Sequence, residues 1–150
     1  MTALRKIARL APPERALLFR ALKEVAGARL RLRLHEPARA AMGIAGAPGR
    51  TAPAPGRPVF SSLPPARFAW AVRHASRLVP GTKCLAQAIA LHRLLQDAGH
   101  TSVVRIGVVK DPEKGFQAHA WVEHPCGPLL NTAAELRPYT PLTSWEGGRA

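Results

Sequence analysis

Apolar positions recur at helical spacing three times along the chain, then switch to the two-residue period of strands. In "PPERALLFRALKEVAGA" (residues 12–28), Leu17, Leu18, Ala21, Leu22 and Val25 make one apolar face. Pro13 suits a first turn, where its missing N–H costs nothing, and Glu14 suits the positive end of the helix dipole. "RLRLRL" (29–34) alternates, so it reads either as a strand or as a strained extension of the helix. A second helix is expected in "ARFAWAVRHASRL" after Pro65, with Phe68, Val72 and Ala75 on one face. "VPGT" breaks the chain, and Thr82 is the expected N-cap of a third helix. That helix runs from about Lys83 to Ala98, with Cys84, Leu85, Ala88, Leu91, Leu95 and Ala98 on its apolar side, and stops at Gly99.

Beyond Gly99 the chain reads as β. "TSVVRIGVV" is rich in β-branched residues, "KDPEKG" is a polar turn, "FQAHAWVEH" is a second strand and "PLLN" a short third one. Period two sets Phe116, Ala118, Ala120 and Val122 on one face and Gln117, His119, Trp121 and Glu123 on the other. Helices first, then an antiparallel meander, give an α+β class. Between the first two helices, residues 37–65 hold seven prolines and four glycines, too many for a periodic element. The chain thus divides into a helical segment (1–36), a Pro/Gly-rich loop or linker (37–65) and a core (66–150).

Composition narrows the class. A chain of 150 residues is one ordinary domain, and 47% apolar residues suffice for a real core. Cys84 and Cys126 are too few for a disulfide scaffold, so a reduced, cytoplasmic setting is the simpler expectation. No stretch of eighteen apolar residues predicts a membrane span, and the charged N-terminus lacks the apolar block of a signal peptide. Charge is uneven. Residues 1–80 carry 15 Lys/Arg against 3 Asp/Glu, and residues 81–150 carry 7 against 6. A basic first half suits an acidic peptide, a nucleic acid or an anionic membrane, or it simply reflects Arg as the default surface residue.

The candidate chemistry sits in the other half. Cys84 falls in the first turn of its helix, where unpaired N–H groups and the dipole favour an anion, and Lys83 adds positive charge. A thiolate is a nucleophile, and the same N–H groups can hold an oxyanion. His119, 35 residues on, can serve as base for the thiol and acid for a leaving amine. The plain alternative is that Cys84 fills core and His119 is a structural strand residue.

"CLAQAIALHRLLQDAGHTSVVRIGVV" with "FQAHAWVEHPCGPLLN" after it resembles the transglutaminase-like cysteine protease of lasso-peptide biosynthesis over residues 65–142. The pairing of "CLAQA" with "AHAWVE" is the specific feature. The resemblance implies a papain- or transglutaminase-like core with Cys84 as nucleophile and His119 as general base. It implies removal of a leader from a ribosomally made precursor, delivered by a small leader-recognition protein before a lasso cyclase closes the ring. No cofactor is implied. The family's third residue is an Asp on the strand after His119. Here the place reads "PLLNTAAEL", with Asn131 at or next to it and Glu135 a weaker stand-in. Asn can orient an imidazole through its carbonyl.

Gln87, one turn after Cys84, is a candidate lining residue. Trp121 shares the His119 face and either walls the site or fills core. Glu123 reads as a solvated or ion-paired strand end, and His92 and His100 as surface residues of the helix. His124 and Cys126, even with Cys84, lack the paired spacing of a zinc site, so no metal is expected. Two other classes compete with the enzyme: a transglutaminase-like scaffold that binds peptide uncut, and a nucleic-acid binder. The second is favoured by a pI near 11.5 but opposed by 5% aromatic residues and the lack of a recognisable motif. The docking surface expected for a partner is the basic helix, through Arg15, Arg20, Lys23, Arg29, Arg31 and Arg33.

Overall fold

The structure is a computed structural model and describes residues 9–34, 60 and 62–146. Three helices precede the sheet: α1 (Pro12–Leu34), α2 (Pro65–Leu78) and α3 (Cys84–Asp97). Strands β1 (Val103–Asp111), β2 (Gly115–His124) and β3 (Gly127–Leu129) come next, then a one-turn helix α4 (Ala133–Leu136) and strand β4 (Thr140–Glu146). The α+β class expected from the periodicity is what the chain adopts. Most of the Pro/Gly-rich stretch lies outside the described residues. Phe60, at its end, packs half-buried on the core.

"RLRLRL" is helix to its last residue. Arg and Leu are strong helix formers, and Arg31 and Arg33 sit where cations favour the C-terminal dipole. Helical geometry turns only Leu32 inward, one turn after buried Ala28, to pack near Ala86 and Ile89. Leu30 and Leu34 stay exposed. The alternation is therefore an accident of composition, not the mark of a buried strand face.

α3 is the central helix. Ala86, Ala88, Ile89, Ala90, Leu91, Leu94 and Leu95 are all buried, with α1 and α2 packed on one side and β2 on the other. Phe68, fully buried, and Leu17 close the layer between the helices. Truncating such a side chain to Ala costs about 2–5 kcal/mol. α3 ends as expected, with Gly99 in the left-handed region (φ 84°) and the His100 N–H bonded to the Leu95 carbonyl at 2.8 Å.

Its start differs from expectation. Lys83, not Thr82, is the N-cap residue, and its side chain caps nothing. The Thr82 hydroxyl instead donates back to the Val79 carbonyl at 2.7 Å, closing the preceding turn. His92 is not a surface residue either. With α3 covered on nearly every side, it is 1% exposed, and its Nδ1 lies 2.8 Å from the Oγ of buried Ser102. His100 comes after the helix rather than sitting on it. It is half-buried, with its ring edge-on to Phe68 at 5.5 Å.

The sheet order is β3-β2-β1-β4, all antiparallel. β1, β2 and β3 form the expected meander, with Asp111 Oδ1 accepting from the Glu113 and Lys114 N–H groups to close the first turn. β4 has no counterpart among the expected strands. It returns to pair with β1 at the sheet's edge, with a register shift between Ile106 and Gly107 where Pro141 stands opposite. Pro cannot donate to a ladder, so an edge position with a bulge is where it is tolerated. On β2, Ala120 and Val122 close the core beneath the helices and alternate with His119, Trp121 and Glu123.

Candidate active site

Cys84 is the first residue of α3. The first backbone bond of the helix runs from the Gln87 N–H to the Lys83 carbonyl at 3.2 Å, so the N–H groups ahead of it have no intrahelical acceptor. Among the described residues, no side chain caps them. An open helix N-terminus of this kind offers donors and a favourable dipole to a developing negative charge. Cys84 is a free thiol, half-buried against the edge of the core, and Gln87 is half-buried on the next turn.

His119 stands on β2 directly opposite Gly107 of β1. A side chain at Gly107 has no room: its Cβ would lie 2.9 Å from Trp121 Cη2 and 3.0 Å from the Thr140 carbonyl oxygen. The bare glycine lets the Trp121 indole lie across β1. Trp121, 3% exposed, is stacked nearly parallel to the His119 ring at 16° and 6.3 Å. Its Nε1–H donates to Glu123 Oε1 at 3.2 Å, and the other oxygen of Glu123 accepts from Arg105 Nε at 2.5 Å. Glu123 is thus an ion-paired anchor for the indole. Tyr139 completes the aromatic group, 5.2 Å from the His119 ring and 6.4 Å from Trp121. Sequence reasoning missed Tyr139. It lies between α4 and β4, and its only signal is being the sole tyrosine of the chain.

The His119 Nε2 lies 3.1 Å from Asn131 Oδ1. With a carbonyl as acceptor, Nε2 carries the proton of the neutral ring, and Nδ1 keeps its lone pair. Asn131 comes directly after Leu130, whose φ of 71° is uncommon for a residue with a side chain. From α2, Arg73 donates to the Leu130 carbonyl at 2.8 Å.

The structure therefore brings His119, Asn131, Trp121 and Tyr139 together and packs the helix that starts at Cys84 against the strand that carries His119. No hydrogen bond joins the Cys84 thiol to the His119 ring among the described residues. Such bonds are often long in an unliganded site and tighten with substrate.

The second cysteine has a histidine within hydrogen-bond distance. Cys126, exposed in the β2–β3 turn, has its Sγ 2.9 Å from His124 Nδ1. Burial, then the neighbouring His100, holds His124 below the usual imidazole range. Among the described residues, no group of three or more His, Cys, Asp or Glu side chains is placed to hold a metal ion. No helix among them is long and apolar enough to cross a membrane.

No curated protein and no solved structure matches the chain. A family model does, over residues 22–144, from the middle of α1 to β4, and so takes in Cys84, His119 and Asn131. The chain belongs to the transglutaminase-like superfamily.

Proposed function

We propose that this chain is a cysteine peptidase that removes the leader from a ribosomally made lasso-peptide precursor. The observation that carries the reading is the His119–Asn131 hydrogen bond of 3.1 Å, on a strand packed against the helix headed by Cys84. Cys84 attacks the scissile carbonyl as thiolate after His119 Nδ1 has taken its proton. The tetrahedral oxyanion is met by the uncapped N–H groups at the start of α3. His119 then gives the proton to the leaving amine, and water hydrolyses the acyl-enzyme with His119 again acting as base. Asn131 holds the imidazole through Nε2, the part an Asp plays in other members, and Trp121 walls the ring. Gln87 lines the cleft beside the nucleophile.

The substrate assignment rests on the "CLAQA" and "AHAWVE" pair. A Cys-His site alone cannot select one precursor, so a small recognition protein delivers the leader and a lasso cyclase takes the product. Delivery uses the basic outer face of α1. Arg20 is engaged by Asp97, and Arg29 is half-buried near Gly81, which leaves Arg15, Lys23, Arg31 and Arg33 exposed for docking. Such attraction speeds association and is screened over about 8 Å at physiological salt.

The test is cleavage of precursor by the full chain, with and without the recognition protein. C84A abolishes cleavage, and the R31E/R33E variant loses most of the partner's acceleration while keeping its basal rate. A C84A chain that still cuts overturns the enzyme. A charge-reversed chain that responds to the partner as before overturns the docking role.

A further inference from the structure

Where Cys84 sits along the sheet follows from one contact near the middle of α3. His92 Nδ1 lies 2.8 Å from the Oγ of Ser102, so the residue just ahead of β1 is level with His92. From there β1 runs back toward the start of the helix. Between His92 and Cys84 the helix rises about 12 Å, the span of about four strand residues. Cys84 is therefore level with Ile106 of β1, whose partner across the ladder is Ala120 of β2. Burial agrees. On the side of the sheet that faces the helices, Val104 and Val122 are fully buried and Ala120 is 5% exposed. Ala118, one pair further out, is exposed, and Phe116 is 77% exposed. The β1–β2 hairpin thus projects past the first turn of α3, and its bare stretch begins beside Cys84.

Paired residues share a face, so Val108 stands beside Ala118 and Lys110 beside Phe116. Val108 is half-buried and Lys110 exposed. A single exposed Phe is ordinary; one that continues a shelf of Val108 and Ala118 outward from a thiol marks a place for a ligand. At the outer end of the shelf the Lys110 ammonium lies 6.0 Å from the centre of the Phe116 ring. Among the described residues no carboxylate pairs with Lys110. Its neighbour Asp111 is taken up by the turn, where it accepts from the Glu113 and Lys114 N–H groups. An apolar shelf closed by a cation suits one kind of occupant. We infer that this overhanging face is a substrate subsite: it takes the peptide segment beside the bond to be cut, with an apolar side chain over Ala118 and Phe116 and a carboxylate at Lys110. The inference rests on the proposed role of Cys84 as nucleophile. It needs neither the lasso precursor nor the recognition protein.

The test carries the expected groups to the thiol on a reagent. The full chain is treated near neutral pH with a limiting amount of iodoacetamide, of N-phenethyl iodoacetamide, or of the phenethyl reagent bearing a para-carboxylate. Labelled peptides are then read by mass. Cys126 is the internal reference, because its turn is at the opposite end of β2 from Phe116. The phenyl tail raises the ratio of Cys84 to Cys126 labelling severalfold over that given by iodoacetamide, and the carboxylate raises it further. F116S and A118E each lose the gain from the phenyl tail, and K110E loses the gain from the carboxylate. Phe116 and Ala118 are exposed, so the core survives both changes, which a thermal melt checks. Should one of the two variants melt early, the other decides. A phenyl tail that brings no gain in wild type, or a gain that survives in F116S and A118E, overturns the subsite. A carboxylate that brings no gain, or one whose gain survives in K110E, overturns the part given to Lys110. A folded chain whose Cys84 takes none of the three reagents closes the thiol off from the hairpin and overturns the subsite as well. Precursor cleavage separates this inference from the peptidase reading. If the phenyl gain holds but C84A still cuts, the subsite stands and the nucleophile falls. If C84A stops cleavage but the phenyl gain is absent, the subsite alone falls.

Discussion

Each of the two cysteines has a candidate histidine, and the two neighbourhoods are built in opposite ways. Cys126 and His124 are two residues apart in one turn, with Sγ and Nδ1 at 2.9 Å and the Cys126 N–H also aimed at that nitrogen at 3.1 Å. Among the described residues, only the turn itself and the nearby His100 ring adjoin that pair. Cys84 and His119 come from a helix and a strand 35 residues apart in sequence. Their surroundings are drawn from six separate stretches: the start of α3, Gly107 of β1, Trp121 of β2, Asn131 after β3, Tyr139 before β4, and Arg73 of α2 behind Leu130. A short Cys–His contact is therefore the weaker indicator. What marks a working histidine is a third group that orients it and rigid elements that hold all three.

The comparison breaks most sharply at the proposed nucleophile. C84A lowers turnover by roughly a thousandfold or more, since a covalent route cannot run without its nucleophile, while C126A leaves it nearly unchanged. Peptide mass analysis after limited iodoacetamide treatment shows Cys84 labelled first. If Cys126, the more exposed thiol, is labelled first and C126A is the inactive variant, the assignment of the two sites is reversed.

A smaller loss is expected at Asn131, the residue proposed to orient the ring. N131A frees one side of the His119 ring and lowers kcat by roughly a hundredfold, at the low end of what acid–base catalysis contributes, with KM little changed. N131D restores an acceptor and recovers most of the rate. An H124A chain, by contrast, turns over normally. Equal effects of N131A and H124A would erase the distinction drawn between the two histidines.

Smaller again is the support beneath the ring. In G107V the new side chain collides with Trp121 and with the Thr140 carbonyl, and the backbone carbonyl cannot yield as a flexible side chain would. Overpacking of this kind costs about 1–3 kcal/mol of stability. It also displaces the indole stacked beside His119, so turnover drops severalfold in a chain that is still folded. Thermal melting and kinetics on the same sample check both parts. Lost stability with unchanged turnover would show that Trp121 serves the core and not the site.

How far the sequence can be read depends on range. The helix headed by Cys84, the strand carrying His119 and the alternation that puts Trp121 on the His119 face are local patterns, and each is where periodicity put it. Three things are not local. β4 is short of apolar alternation and begins beside Pro141, so only its partner β1 makes it a strand. His92 is polar and sits among helix residues. Its burial comes from α3 being covered on nearly every side, and its partner Ser102 lies ten residues away. "RLRLRL" fits two periods equally, and the packing of Leu32 and Ala28 decides between them. Cys84, His119 and Asn131 are legible as residue types in a familiar order. Tyr139 is not, because nothing in "RPYT" marks an aromatic that must close on a ring twenty residues back.

His92 supplies the last and smallest contrast, a histidine used by the core and not by the site. Burial holds it below its ordinary range, so the folded chain keeps it neutral where an unfolded chain would protonate it. The unfolded state then binds more protons below about pH 6.5, and stability rises with pH through that window. The stability is fully present above about pH 6.5 and is lost as the solution is acidified toward the depressed folded value. Stability therefore falls between pH 7.5 and 5.5, and a urea midpoint followed over that range reads the loss. H92Q cannot titrate and retains a partner for the Ser102 hydroxyl, so its urea midpoint changes less over the same range. Should H92Q lose stability on acidification as steeply as wild type, burial of this imidazole is not the source of the acid sensitivity.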